Sequence, residues 1–299
     1  MRTFLLSIVA AAVLVTGAAG AATSPTVLAK IKLAGSPGPC ATAAGGGFVW
    51  VSEFSQPYLL RIDPKTNKVL GKTRIGNGSC GLGYGAGSLW VEDTNSSTIS
   101  RVSARTHKRL KAIPVGSTPY DATFAFGAAW ATSFGGGDLE RIDPGRDKVV
   151  ARWPLPGAVG VVGAFGSVWA AGSSGVIRVD PTTGKVVSMI AVDGGAGWTA
   201  ASSDAVWVTT PAGLVRIDPS TNTVAATIKL PTPAGDPDVI GGMVWVPIIK
   251  QNVVDVVDPA TNAVTAKVKV GVGPFVVTAV GGDAWVPSWH GADIWRLRP

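Results

Sequence analysis

The sequence has little charge and very little cysteine or histidine. Charged residues make up 15% of its 299 residues, against about 25% in an average globular chain, and there are two cysteines and two histidines. The 46% of hydrophobic residues is enough to form a core, which excludes a disordered or coiled-coil protein. Two cysteines are too few for a disulfide-built miniprotein or a cysteine-rich zinc module. What remains is a globular protein that buries its core without many crosslinks.

A long apolar run is also missing. The apolar stretch at residues 4–15 follows Arg2 and precedes small residues at 17–22. A membrane-spanning helix needs about 20 apolar residues, and this layout is instead typical of a secretory signal peptide. We predict a signal peptide at residues 1–22 and a single domain at residues 23–299. The mature protein is expected to be secreted or periplasmic, with no transmembrane segment after cleavage.

Several catalytic and cofactor motifs are absent. The sequence contains no Walker, Gly-x-Ser-x-Gly, His-Glu-x-x-His or Cys-x-x-Cys motif. Asp236 and Asp238 stand two residues apart, but they lack the further ligands of a calcium loop. We therefore predict no cofactor and no metal site.

The most regular feature is a repeat of about 40 residues. A motif related to Arg-Ile-Asp-Pro recurs at spacings of 37 to 40 residues, and a tryptophan recurs in phase with it. The tryptophans are Trp50, Trp90, Trp130, Trp169, Trp207, Trp245 and Trp285. Each unit holds about four short runs of alternating apolar and polar residues between turn formers, which is typical of strands. Seven such units predict an all-β fold, a seven-bladed β-propeller with four-stranded antiparallel blades.

Two details predict how the strands are connected. The fifth position of the turn after each Arg-Ile-Asp strand holds a residue that tolerates positive φ: Asn67, His107, Asp147, Gly184, Asn222 and Asn262. Residues 27–33 resemble residues 69–75, which form the fourth strand of the first unit, whereas the last unit ends after its third strand. The N-terminal strand is therefore predicted to join the last blade and close the ring.

The repeat also carries a family resemblance. The pattern Arg-Ile-Asp-Pro-x-Thr-Asn-x-Val, followed by Val-Gly-x-x-Pro and Gly-x-x-Trp-Val, resembles the YVTN and virginiamycin B lyase-like seven-bladed propellers of exported bacterial proteins. The resemblance covers residues 26–299. Through the lyases it implies a site with histidine, glutamate and a divalent metal on one face. This sequence departs from that pattern, because it has one histidine there.

The two cysteines occupy equivalent positions in neighbouring units. Cys40 and Cys80 each lie ten residues before their blade tryptophan, which places them roughly 6 to 8 Å apart at the channel mouth. We predict a disulfide that joins blades one and two. The alternative is a free thiol nucleophile with His290 as its base.

Aromatic residues outside the repeat tryptophans concentrate in loops on one face. The predicted ligand-binding residues are Trp289, Trp198, Tyr120, Phe275, Tyr58, Phe134 and Asp238. They could form a concave binding site for a small-molecule, glycan or protein ligand. The alternative is that they are surface loop residues without a binding role.

An enzyme is the second hypothesis. His290 and Glu53 fall on the same predicted face, with Glu92 or Asp93 as an auxiliary acid, and such a pair could act as acid and base in a lyase or hydrolase. The favoured function is non-enzymatic binding or scaffolding by a monomer. The lysines and arginines fall mainly on predicted outer strands. There they would discourage edge-to-edge aggregation of sheets or attract polyanions weakly.

Overall fold

The computed structural model describes residues 25–35 and 38–299. The predicted signal peptide lies outside the described residues. Within the described part, 28 strands form seven four-stranded antiparallel sheets, and no helix there is long and apolar enough to span a bilayer. The predicted seven-bladed β-propeller is confirmed.

Each blade is built from four consecutive strands, except the last. The N-terminal strand is β1 (Thr26–Lys32). Blade one contains β2 (Pro39–Gly45), β3 (Phe48–Glu53), β4 (Tyr58–Asp63) and β5 (Lys68–Arg74). Blade two contains β6 (Ser79–Gly85), β7 (Ser88–Asp93), β8 (Thr98–Ser103) and β9 (Arg109–Pro114). Blade three contains β10 (Pro119–Ala125), β11 (Ala128–Ser133), β12 (Asp138–Asp143) and β13 (Lys148–Pro154).

The remaining blades follow the same order. Blade four contains β14 (Val161–Ala164), β15 (Ser167–Gly172), β16 (Gly175–Val179) and β17 (Val186–Ala191). Blade five contains β18 (Thr199–Ala201), β19 (Val206–Thr210), β20 (Gly213–Asp218) and β21 (Thr223–Lys229). Blade six contains β22 (Asp238–Ile240), β23 (Met243–Ile248), β24 (Val253–Asp258) and β25 (Ala263–Lys269). Blade seven contains β26 (Thr278–Val280), β27 (Asp283–Pro287) and β28 (Asp293–Arg298), and two 3-10 turns lie at Thr94–Ser96 and Ile249–Gln251.

The first strand of every blade is the innermost. First strands of neighbouring blades pack against each other around the axis, and the fourth strands form the outer rim. In blade seven the outer strand is β1, which pairs antiparallel with β28 from Thr26 opposite Arg298 to Lys32 opposite Asp293. The predicted ring closure by the N-terminal strand is therefore confirmed.

The core consists of tryptophans buried between blades. All seven repeat tryptophans are inaccessible to solvent, and each packs on the second strand of the next blade. Trp207 of blade five, for example, packs on Val244 and Val246 of blade six. In five blades the indole N–H donates to the carbonyl five residues earlier, at 2.9 to 3.2 Å, which satisfies the one polar atom of the ring.

In four blades the repeated arginine bonds to the hairpin turn of the next blade. The Arg178 guanidinium lies 4.6 Å from the Trp169 ring and donates to the Pro219 carbonyl at 2.7 Å and to Asn222 Oδ1 at 2.8 Å. The equivalent clasps are Arg101 on Pro144 and Asp147, Arg216 on Pro259 and Asn262, and Arg296 on Pro64 and Asn67. The six predicted left-handed turn residues all have φ between 51° and 71°. This conformation explains the residue types found there.

Blade six has Val256 where the other blades have arginine. The topology accounts for this exception, because the third and fourth strands of blade seven come from opposite ends of the chain. Blade seven therefore has no hairpin turn whose carbonyl an arginine at position 256 could bind.

Arg296 is expected to be the most costly of the clasping arginines to remove. It bonds blade seven to blade one and pairs with Asp283, whose side chain is 6% exposed, whereas the acidic partner of Arg216 is Asp204, which is 53% exposed. Arg296→Ala should lower the free energy of unfolding by about 3 kcal/mol, and Arg216→Ala by about 1 kcal/mol. Urea unfolding of both variants checks this. Equal losses would contradict the role of the buried acid.

Candidate functional site

A cavity of about 400 Å³ lies at the channel mouth. Its lining comes from the starts of first strands and from the loops between second and third strands. The lining residues are Phe54, Cys80, Glu92, Thr94, Thr118, Tyr120, Trp198, Pro233, Ala234, Ile249, Phe275 and Trp289. We call this space the mouth cavity. Six of the seven blades, with the loops that lead into their first strands, contribute to it, so it exists only in the closed ring.

Six aromatic rings form a continuous arc at the channel mouth, and all of them except Phe134 line the mouth cavity. Successive ring centroids in the order Phe54, Trp289, Phe275, Trp198, Tyr120 and Phe134 are 4.8, 4.9, 5.0, 6.2 and 4.9 Å apart. Five of these rings are half-buried and Phe134 is exposed. The aromatic arc therefore presents preorganised apolar surface to the cavity.

Most of the predicted ligand-binding aromatics meet in this arc, but Tyr58 does not. Tyr58 lies on β4, with Lys72 Nζ 4.0 Å from its ring centroid. It lines a separate groove of about 920 Å³ between the outer strands β1 and β5. Phe54 is the arc member that the predicted set leaves out.

The structure joins Cys40 to Cys80 in a disulfide, with the two Cα atoms 5.0 Å apart. Cys40 lies on β2 and Cys80 on β6, so the bond links the innermost strands of blades one and two. Both residues are buried beside the aromatic arc. Because the sequence has no other cysteine, no free thiol is available as a nucleophile.

Glu92 forms part of a link between blades two and three. Its Oε1 accepts hydrogen bonds from the backbone N–H groups of Cys80 at 2.9 Å and Gly81 at 3.0 Å. The Thr94 hydroxyl lies 2.8 Å from Glu92 Oε2 and 2.9 Å from the Pro119 carbonyl. Burial raises the pKa of Glu92 well above its usual value of 4.5.

Two other blades make the same link with a hydroxyl. Ser52 Oγ accepts from Ala41 N at 3.1 Å and donates to the Cys80 carbonyl of the next blade. Thr132 Oγ1 likewise accepts from Asp121 N and donates to the Val159 carbonyl. Ser52, Glu92 and Thr132 all lie two residues after their blade tryptophan. Glu92 therefore fills a structural position of the repeat.

Glu92→Gln is expected to preserve this link and Glu92→Ala to break it. A glutamine can accept from Cys80 and Gly81 through its oxygen and donate to Thr94 through its amide. Alanine leaves buried N–H groups unpaired, which should cost about 2 kcal/mol of unfolding free energy. Thermal unfolding of both variants tests this. A glutamine variant as unstable as the alanine variant would argue that Glu92 is ionised in the folded protein.

The other predicted catalytic residues lie outside the mouth cavity. His290 is exposed in the loop between β27 and β28, and its ring covers Gly273. Glu53 is buried at the end of β3 and lines the groove between β1 and β5. No hydrogen bond joins His290 to Glu53 or Glu92 in the described structure. These positions do not bring His290 and Glu53 together as the predicted acid-base pair.

Asp93 is surrounded by hydrogen-bond donors of the protein itself. Its carboxylate accepts hydrogen bonds from Ser79 Oγ and Ser100 Oγ, each at 2.6 Å, from Thr98 Oγ1 at 3.0 Å and from Gly76 N at 3.1 Å. These four donors occupy the carboxylate, so Asp93 has little capacity left for a substrate. His107 lies in a hairpin turn on the opposite face with φ 58°.

Burial raises the pKa of Glu53 to about 7, although Lys72 lowers it. Between pH 4.5 and about 7 the folded protein therefore holds a proton that the unfolded chain has lost, so the free energy of unfolding should fall as pH rises through this window. Glu53→Gln stays neutral and should show a smaller fall between about pH 5 and about pH 8. Urea unfolding at both pH values measures the difference. The same fall in both proteins would contradict the raised pKa.

Three carboxyl groups line the channel below the mouth cavity. Asp121, Asp236 and Asp238 border a space of about 280 Å³. Asp121 accepts from the backbone N–H groups of Ala122 and Val161 at 2.8 and 2.9 Å. Asp238 accepts from those of Val239 and Ala279, both at 2.7 Å. We call these residues the channel carboxyls.

The channel carboxyls lie close enough together for their pKa values to be raised. Burial raises the pKa of Asp121 to about 6. Burial, together with the negative charges of Asp121 and Asp238, raises the pKa of Asp236 well above 3.8. Among the predicted site residues only Asp238 belongs to this set. The repeat could have predicted that Asp121 and Asp236 occupy equivalent positions in their blades, because each lies nine residues before its blade tryptophan.

Within residues 25–35 and 38–299, no three histidine, cysteine, aspartate or glutamate side chains are arranged to hold a metal ion. The channel carboxyls therefore do not form a ready metal centre.

The fold is similar to those of several solved propellers. Over 90% of this chain it matches a structure of streptogramin B lyase, covering 96% of that chain at 16% identity and a TM-score of 0.78. Hydrazine synthase of Kuenenia stuttgartiensis matches with 16% identity and a TM-score of 0.76, over 88% of this chain and 96% of that one. BamB from Moraxella catarrhalis matches with 13% identity and a TM-score of 0.67, over 93% and 98%. The shared property is the propeller fold.

No family model and no curated protein matches the sequence. At identities of 13% to 16% the structural likeness concerns the fold alone, because propellers of unrelated function share it. Activity must be argued from the residues of this chain.

Proposed function

We propose that the protein is a binding module that holds an aromatic or apolar group of its ligand in the mouth cavity. The observation that carries this proposal is the aromatic arc, since five of its six rings line a space of about 400 Å³. A cavity of this size suits a small molecule, a sugar or a side chain of a peptide. The rings are held by their mutual contacts, so little side-chain freedom is lost on binding.

Binding is favoured over catalysis because the reactive groups are otherwise engaged. The Glu92 carboxyl bonds backbone and Thr94, and the two cysteine sulfurs are bonded to each other. His290 lies outside the cavity. The lyase or hydrolase hypothesis would require these groups to rearrange around a substrate.

Two further aspects belong to the same proposal. The repeat pattern, together with the likeness to streptogramin B lyase, supports a place among YVTN or virginiamycin B lyase-like propellers. The disulfide and the apolar pattern of residues 4–15 support action outside the cytoplasm, where disulfides persist. We expect a monomer in solution.

Trp198→Ala should weaken ligand binding about tenfold, because it removes the ring at the centre of the arc. The assay is isothermal titration of residues 23–299 with indole compounds and aryl glycosides. Phe126→Ala is the matched control, since Phe126 is an exposed ring in the β10–β11 turn, away from the mouth. Equal effects of the two changes, or binding that survives both, would contradict a mouth site.

A further inference from the structure

The mouth cavity and the channel carboxyls lie next to each other, because consecutive residues of the same strands line the two spaces. On β10 the arc residue Tyr120 is followed by Asp121, and Trp198 is followed by Thr199 at the start of β18. The Asp236 backbone N–H donates to the Phe275 carbonyl at 2.7 Å, which places Asp236 beside the arc. A ligand seated against the rings therefore has its inner end next to carboxyl groups.

The carboxyl groups have no cationic partner in the protein. None of the ion pairs among the described residues involves Asp121, Asp236 or Asp238. No described lysine, arginine or histidine lines the channel or the mouth cavity. Basic residues lie on the outer strands instead, in a chain with a net charge of +7. The acidic interior contrasts with the basic rim.

Polar atoms in the channel also lack partners. Within the described residues, no hydrogen bond reaches the Asp236 carboxyl. The hydroxyls of Thr42 and Thr199 line the same channel without a hydrogen-bond partner, although these residues are only 3% and 7% exposed. Buried polar groups are normally hydrogen-bonded, so these atoms indicate that a polar ligand supplies the missing partners.

The neighbouring strand leaves room for a carboxyl. Gly81 faces Asp121, and a Cβ atom at position 81 would lie 2.8 Å from Asp121 Oδ1. Any larger residue would therefore displace that oxygen.

We infer that the site binds an organic cation, a substituted ammonium group attached to an aromatic or apolar body. The body packs on the aromatic arc and the ammonium group points at the channel carboxyls. Ring faces attract cations, and carboxylates and hydroxyls accept hydrogen bonds from ammonium N–H groups. This inference rests on the proposed function, because it assumes a ligand in the mouth cavity.

Binding should strengthen as pH rises. The titratable groups that face the ligand are Asp121 on β10, Asp236 and Asp238 at β22, and Glu92 on β7. A bound cation favours their ionised forms and displaces protons. Because the pKa of Asp121 is about 6, affinity for an ammonium ligand should increase between about pH 5 and about pH 7.5.

The test compares three probes with one indole body. Tryptamine is cationic, tryptophol is its neutral counterpart and indole-3-propionate is anionic. In isothermal titration of residues 23–299 at about pH 7.5, tryptamine should bind at least about tenfold more tightly than tryptophol, and indole-3-propionate most weakly.

Asp236→Asn should remove the advantage of tryptamine while leaving tryptophol unchanged. This variant gives up no side-chain hydrogen bond, so it is expected to fold. Asp121→Asn is the second variant, and Asp193→Asn, an exposed aspartate between β17 and β18, is the control that should change nothing. Thermal unfolding of each variant checks folding.

Several outcomes would overturn the inference. Equal affinity for tryptamine and tryptophol, with both weakened by Trp198→Ala, would leave the proposed binding function intact and exclude a cation site. Calcium ions that bind in an Asp236-dependent way while tryptamine does not would make the channel a metal site. No binding of any probe at about 5 mM would overturn both the inference and the proposed function for this ligand class.

Discussion

The structure depends on the burial of each blade's tryptophan against the following blade. A single four-stranded blade has no core of its own, so its apolar face must be covered by a neighbour. Trp207 on Val244 and Val246 is one example of a contact that recurs seven times. In four blades the arginine above the indole adds directional bonds to the next hairpin turn. Together these contacts fix the angle between blades, and with it the number of blades that close the ring.

Ring closure brings the candidate site residues together. The starts of the first strands are dispersed along the sequence, but neighbouring first strands lie side by side around the axis. The disulfide between Cys40 and Cys80, the aromatic arc and the channel carboxyls all lie at or near these positions. The opposite face holds the arginine clasps and the left-handed turns. The turn face of the ring therefore holds the arginine bonds, whereas the mouth face holds the disulfide and the aromatic arc, where we propose that the ligand binds.

Acidic side chains in this protein have two different environments. Asp93 and Glu92 are satisfied by donors from their own or neighbouring blades, and they stabilise the scaffold. Asp236 has no such donors among the described residues and shares its surroundings with two further carboxyls. Crowding of carboxyls without donors is costly to stability. This contrast is the reason why we propose a ligand at the channel carboxyls and not at Asp93 or Glu92.

The sequence by itself determined the blade number, the strand order, the six left-handed turns and the closing role of the N-terminal strand. It could do so because the repeat makes each position readable by its distance from a tryptophan. Only the tertiary structure decided that Tyr58 lies apart from the other aromatics, that Glu92 fills a position held by Ser52 and Thr132, and that Asp121 and Asp236 meet across the channel. These outcomes depend on side-chain direction and on distances across the ring, which a repeat pattern along the chain does not contain.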